Sequence, residues 1–214
     1  MKNPEISVPF SSATPAIHRY RAVQFFNSVN AFEQLPPDIS QEVAFAGRSN
    51  AGKSSALNLL TGQRQLARVS KTPGRTQMIN FFQVAAERYL VDLPGYGYAQ
   101  VPEAIRRHWR ALLERYLRER IALRGLLLMM DIRHPLTELD QRMLDCCAAR
   151  VLPVHILLTK ADKLSRGAAK TVLQQVQKTL QNKYPPATAQ LFSAQTGQGV
   201  DEAHQWLDEW LDFG

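Results

Sequence analysis

Gly47-Arg48-Ser49-Asn50-Ala51-Gly52-Lys53-Ser54 has the residue types and spacing needed to wrap a polyphosphate. The run fits G-x-x-x-x-G-K-[ST]. Gly47 and Gly52 allow backbone angles that turn successive N–H groups inward, and a helix starting at Lys53 adds its positive end, so the loop is an anion nest. The Lys53 ammonium offers a point charge to β- and γ-phosphates. The Ser54 hydroxyl is a hard oxygen ligand suited to Mg²⁺. A plain glycine turn capping a helix is the alternative, and the strand pattern before the run together with the helix pattern after it argues against that.

Three further runs suit the same ligand. Asp92-Leu93-Pro94-Gly95 follows an apolar run, Tyr89 to Val91, and fits D-x-x-G. Asp92 would hold Mg²⁺ through water, and the Gly95 N–H would sense the γ-phosphate. Thr159-Lys160-Ala161-Asp162 ends a second apolar run and varies N-K-x-D, with Thr159 in place of the usual Asn. The Asp162 carboxylate can accept hydrogen bonds from N1–H and N2–H₂ of guanine. Adenine has neither donor, so Asp162 would discriminate GTP from ATP; the plainer reading is a helix N-cap. The Lys160 stem can lie over the base plane. Phe192-Ser193-Ala194 falls where the last guanine loop belongs, with a backbone N–H for guanine O6. Between these lies the polar stretch Ser70 to Gln77, which reads as a switch segment that orders cheaply over the γ-phosphate. Thr76 is its best Mg²⁺ ligand and Thr72 the second choice.

These loops need a scaffold that brings strand ends together. Apolar runs at 43–46, 89–91, 126–130 and 154–158 alternate with helical patterns at 53–60, 105–120, 138–150, 168–182 and 200–211. That alternation predicts an α/β P-loop NTPase: a three-layer sandwich with a mostly parallel sheet of about six strands and helices on both faces. Residues 78–85 and 89–91 form a hairpin-like pair, which implies one antiparallel edge strand. A last strand ends at 191–193. Residues 1–38 read as a proline-punctuated extension, partly helical or disordered, with a short helix from about 19 to 32. The catalytic domain then spans 39–214.

Composition narrows the setting. Of 214 residues 45% are hydrophobic, enough for a packed core, and the net charge of +7 points to a polyanionic partner such as nucleic acid, a ribosomal surface or an acidic membrane, or else only aids solubility. Adjacent Cys146 and Cys147 read as reduced residues in a helix, the most apolar run is too short to span a bilayer, and no signal peptide is visible, so the expected setting is cytoplasmic. A monomer is the default expectation. The five histidines show no ligand spacing.

The motifs 47–55, Thr-Pro-Gly-Arg-Thr-Gln at 72–77, Asn-Phe-Phe at 80–82, Asp-Leu-Pro-Gly-Tyr-Gly at 92–97, Asp-Ile-Arg-His-Pro-Leu at 131–136 and Thr-Lys-Ala-Asp-Lys-Leu at 159–164 resemble the bacterial EngB family of GTPases. The resemblance covers roughly residues 42–210, and Thr159 looks normal for that family. It implies a role in assembling the large ribosomal subunit and a need for the protein in normal division and septation. It also implies GTP or GDP as ligand, Mg²⁺ on Ser54 and Thr76, phosphate contacts from 47–54 and from Gly74, Arg75, Thr76, Gln77 and Met78, and guanine contacts from 159–162 and 192–194.

For catalysis the candidates are Lys53, Asn50, Thr76 and Gly95. Tyr96 follows Gly95 where many small GTPases carry a water-orienting Gln, so intrinsic hydrolysis is expected to be slow. Asn50 stands where related GTPases coordinate K⁺, whose charge acts on the transition state; the simpler reading is that it braces the loop. Arg75 is a weaker source of stabilising charge. Arg106, Arg107, Arg110, Arg115, Arg118 and Arg120 crowd one helix after the D-x-x-G run, with Arg64, Arg68, Lys71 and Arg75 near the first switch; this basic surface suits rRNA, or else is a solvated helix face paired with Glu114 and Glu119. Two other classes remain open at this point. One is a nucleotide-gated binding module with negligible turnover, acting on a division or membrane partner. The other is an ATP-using kinase, which Asp162 disfavours.

Overall fold

The structure is a computed structural model, and it describes residues 15–67, 78–97 and 103–213. Its centre is formed by β2 (Gln41–Gly47), β5 (Leu123–Asp131) and β6 (Val154–Thr159). Their near-continuous apolar runs are buried on both faces, as central parallel strands must be. β4 (Arg88–Asp92) and β7 (Ala187–Leu191) add on either side, both parallel to the centre. β3 (Ile79–Ala85) folds back on β4 through a turn in which Glu87 takes φ 57°, and it alone runs against the others.

Among the described residues seven strands are present, in the order β1-β3-β4-β2-β5-β6-β7, one more than expected. The extra strand comes from the N-terminal segment. The helix expected from about 19 to 32 is instead a short α1 (Pro15–Arg21) followed by β1 (Gln24–Val29), antiparallel to β3. Val23, Phe26 and Val29 match a helical spacing, but the free edge of β3 offers backbone partners that an isolated amphipathic turn lacks. A bulge near Phe26 offsets the register. Phe25 meets the Phe82 ring edge-on at 6.1 Å, while Phe26 lies 5.1 Å from Tyr89. At the opposite edge, β7 covers 187–191 where a strand end at 191–193 was expected. Ala187, Thr188 and Gln190 gave no apolar run to read. Gln190 is buried because it bonds His155 on β6 at 2.8 Å, and burial pushes the His155 imidazole down to about 4.

α2 (Lys53–Leu60) and α6 (Val200–Trp210) cover one face together with Tyr20 of α1. α3 (Glu103–Glu119), α4 (Glu138–Ala148) and α5 (Arg166–Lys183) cover the other. The arginine-rich α3 buries Leu112, Leu113, Tyr116 and Leu117 and exposes Arg107, Arg110 and Arg118. Arg120 does not join that surface. It is 3% exposed and pairs with the fully buried Glu42, which also accepts a 2.8 Å bond from Tyr116. Arg120 further bonds the Pro36 carbonyl at 2.8 Å, so it ties the segment before β2 to the sheet. A buried carboxylate needs such compensation. Arg115 is likewise occupied, by Glu33 and Glu119.

The parallel register brings four strand ends to one edge. Phe45 pairs with Asp92, Gly47 with Met129, and Asp131 with Thr159. That is where ligands bind in open parallel sheets.

Candidate guanine-nucleotide site

β2 ends at Gly47, where a side chain would not fit. A Cβ on Gly47 would lie 2.9 Å from the Met129 carbonyl oxygen of β5. The following loop turns through two left-handed residues, Asn50 at φ 64° and Gly52 at φ 90°. Gly52 caps α2 with no side-chain acceptor, so the first N–H groups of that helix stay available to a ligand. Ser49 N–H donates to the Tyr96 carbonyl at 2.9 Å and Tyr96 N–H to the Gly47 carbonyl at 3.3 Å. The phosphate loop is thereby sewn to the residue after the D-x-x-G run. Lys53 forms an ion pair with Asp92, both side chains largely buried. The ammonium and the carboxylate predicted to serve phosphate and metal therefore neutralise each other.

Thr159 joins the base side to the phosphate side. Its hydroxyl is 2.6 Å from the Ala51 carbonyl and 3.1 Å from the Met130 carbonyl. Thr159 thus braces the guanine loop against the phosphate loop and β5. Lys160 Nζ donates to the Asn50 carbonyl at 2.7 Å, so its stem crosses from the guanine loop to the phosphate loop. Asp162 Oδ1 accepts from the Ser193 hydroxyl at 2.6 Å. That bond, followed by the attraction of the Lys163 ammonium, holds the carboxyl below its ordinary range and keeps it ionised. Asp162 Oδ2 is buried and receives no hydrogen bond; Lys163 Nζ lies 2.9 Å away without bonding geometry. This oxygen, ion-paired with Lys163 but without a hydrogen bond among the described residues, is an acceptor that a base with N–H donors would satisfy. It opens on a cleft of about 670 Å³ lined by Gly52, Ser55, Thr159, Lys160, Phe192 and Ala194, among others.

Of the residues singled out from sequence, 47–54, 92–95, 159–162 and 192–194 meet at this edge. Gly74, Arg75, Thr76 and Gln77, with Thr72, Arg68 and Lys71, lie outside the described residues, while Met78 is exposed just before β3. Tyr96 carries no carboxamide, and its hydroxyl donates to Asp140 Oδ1 of α4 at 2.8 Å. Burial first, and Asp140 second, push the Tyr96 hydroxyl well above its ordinary range, so it stays a donor. Sequence reasoning missed Asp140, which also caps α4 through Thr137, and Asp131, which stands 2.9 Å from Lys160 Nζ. Asp131 was visible only as part of an unexplained D-I-R-H-P run.

Comparison with known proteins agrees with this geometry. A family profile described as a 50S ribosome-binding GTPase matches residues 42–160. "Probable GTP-binding protein EngB" of Nitrosomonas europaea is 56% identical over 195 residues, covering 91% of this chain and 88% of that protein. The protein of the same name from Nitrosococcus oceani is also 56% identical, over 91% of this chain and 98% of its own length. That of Xanthomonas oryzae is 58% identical over 185 residues, 86% of this chain and 89% of its own. In fold, a crystal structure of an EngB-type GTP-binding protein superimposes with TM-score 0.64 at 19% identity, over 81% of this chain and all of that one. Era of Aquifex aeolicus follows with TM-score 0.63 at 22% identity, over 79% and 56% of the two chains. The family profile and the relatives more than half identical over most of the chain place it in the EngB family of P-loop GTPases, enzymes that bind GTP and hydrolyse it to GDP and phosphate.

Proposed function

We propose that this GTPase is a slow, Mg²⁺-dependent cytoplasmic switch that acts as a monomer on the large ribosomal subunit during its assembly. Its part in division and septation would follow from that role. The observation that carries the proposal is the match of residues 42–160 to a profile described as 50S ribosome-binding. The exposed guanidinium groups of Arg107, Arg110 and Arg118, on the helix after the D-x-x-G run, support it. The switch unit is residues 39–214, with 1–38 an extension from which β1 lengthens the sheet.

Each site residue then has a task. Backbone N–H groups of 47–54 and the Lys53 ammonium cradle the phosphates. Lys53 must leave Asp92 to do so. Ser54, Thr76 and, through water, Asp92 supply the hard oxygens that fit Mg²⁺. Held by these residues, the ion would supply the charge that offsets the phosphates. Asp162 reads N1–H and N2–H₂, and the 192–194 loop reads O6. Gly95 N–H and Thr76 sense the γ-phosphate, with Gly74, Arg75, Gln77 and Met78 beside them. Tyr96 has no carboxamide and its hydroxyl is bonded to Asp140, so unassisted turnover is expected to be slow. The Asn50 side chain is exposed beside the phosphate loop while its carbonyl holds Lys160, so it is free to help ligate K⁺. Hydrolysis in K⁺ should then exceed that in Na⁺ by about tenfold or more; equal turnover would refute this role.

The test of the main proposal is co-sedimentation with purified large subunits. With a non-hydrolysable GTP analogue the protein should pellet with the subunit, and with GDP it should not. If Arg107, Arg110 and Arg118 meet rRNA phosphates, raising salt from about 50 to 200 mM should weaken binding about 20- to 40-fold. No pelleting in any nucleotide state would overturn the ribosomal reading and turn attention to a division or membrane partner.

A further inference from the structure

Asp131 closes β5 and is 7% exposed. It faces Thr159, the first residue of the guanine loop, in the parallel register. Three contacts come from Arg133: its backbone N–H at 3.1 Å and its guanidinium at 2.9 and 2.6 Å. These fix the carboxylate in one orientation. The fourth contact is Lys160 Nζ, at 2.9 Å from Oδ2. The same ammonium donates to the Asn50 carbonyl at 2.7 Å. Lys160 also has left-handed backbone angles, φ 59° and ψ 33°, which a lysine keeps only when its surroundings impose them. Thus one cation joins the end of β5, the guanine loop and the phosphate loop.

A lysine stem has several rotors, and a free one would have to be ordered each time a base arrived. We infer that Asp131 is a positioning residue for guanine recognition. By holding the Lys160 ammonium, clamped in turn by Arg133, it lays the Lys160 stem across the mouth of the cleft as a ready-made platform for the base. It acts through Lys160 and does not touch the nucleotide. The inference rests on assigning the base to the cleft beside Asp162.

The experiment measures GDP affinity by calorimetry and GTP turnover for the full chain and two variants. Asp131→Asn keeps the shape of the side chain and removes its charge. Lys160→Met keeps an unbranched stem and removes the ammonium. Each should raise the GDP Kd and the KM for GTP about tenfold, while kcat stays within about twofold. The double variant should be no weaker than either single, because both changes cut the same link. Wild-type affinity in Asp131→Asn, additive losses in the double variant, or a fall in kcat at constant KM would each overturn the inference. If Asp131→Asn does not melt as a folded protein, Lys160→Met decides alone: undiminished affinity with a stem but no ammonium rules out the anchor. GTP-over-ATP preference should survive in both variants. Its loss only in Asp162→Asn supports the base site itself, and its survival there would mean that the base site, not the anchor, was misassigned.

Discussion

Changing Asp162 to Asn should cost GTP affinity about 10²- to 10³-fold and turn the protein toward xanthosine nucleotides. In the native site Oδ1 is taken by Ser193 at 2.6 Å and Oδ2 receives no hydrogen bond. Guanine presents two N–H donors on one edge, and an ionised carboxylate satisfies both. Asparagine puts an NH₂ group where one acceptor stood, leaving a donor facing a donor in a desolvated site, which is the costly kind of mismatch. Xanthine carries a carbonyl at that position and accepts from the new NH₂. The change sits at the rim of the fold, so the melting temperature should hardly move. Competition of GTP, ATP and XTP for wild type and variant is the measurement. A variant that keeps the native GTP preference would mean that another group reads the base.

Lys53→Met should have two separable consequences. The first is loss of the ammonium from the phosphates, with GTP turnover down about 10²- to 10³-fold. The second appears in the protein without nucleotide. Lys53 pairs with Asp92, which is only 3% exposed, and truncation leaves that carboxylate buried and alone. Breaking such a pair costs about 3 kcal/mol, or roughly 6–12 °C in melting temperature for a domain of this size. Adding Asp92→Asn removes the stranded charge, so the double variant should regain most of the stability and none of the activity. Thermal melts of the three proteins, with turnover measured alongside, check both halves. If Lys53→Met melts like wild type, the pair contributes nothing to the empty fold.

The effects of both variants are only partly legible in the sequence. Asp162 and Lys53 were both named from motifs, yet only the fold showed that Lys53 holds Asp92 and that Asp162 keeps one oxygen unfilled. Thr159 looked like a weakened asparagine until its hydroxyl was found on the Ala51 carbonyl. Arg120 counted as surface charge in the sequence because an i, i+3 pattern of arginines cannot reveal a buried Glu42 that lies 78 residues away.

Local chemistry is what the chain alone determined. A phosphate loop needs glycines, a lysine and a hydroxyl within eight consecutive positions, and a parallel sheet needs apolar runs alternating with helical ones, so both can be read in order along the chain. Long-range pairing is what the tertiary structure decided. β1 exists because β3 would otherwise be a bare edge, and β7 because His155 and its neighbours on β6 accept its polar face. Asp131 reaches Lys160, and Tyr96 reaches Asp140, only because parallel strands end at one edge and helix α4 begins there. Those partners lie 29 and 44 positions apart as numbered, and no periodicity of one segment encodes which distant side chain will satisfy it.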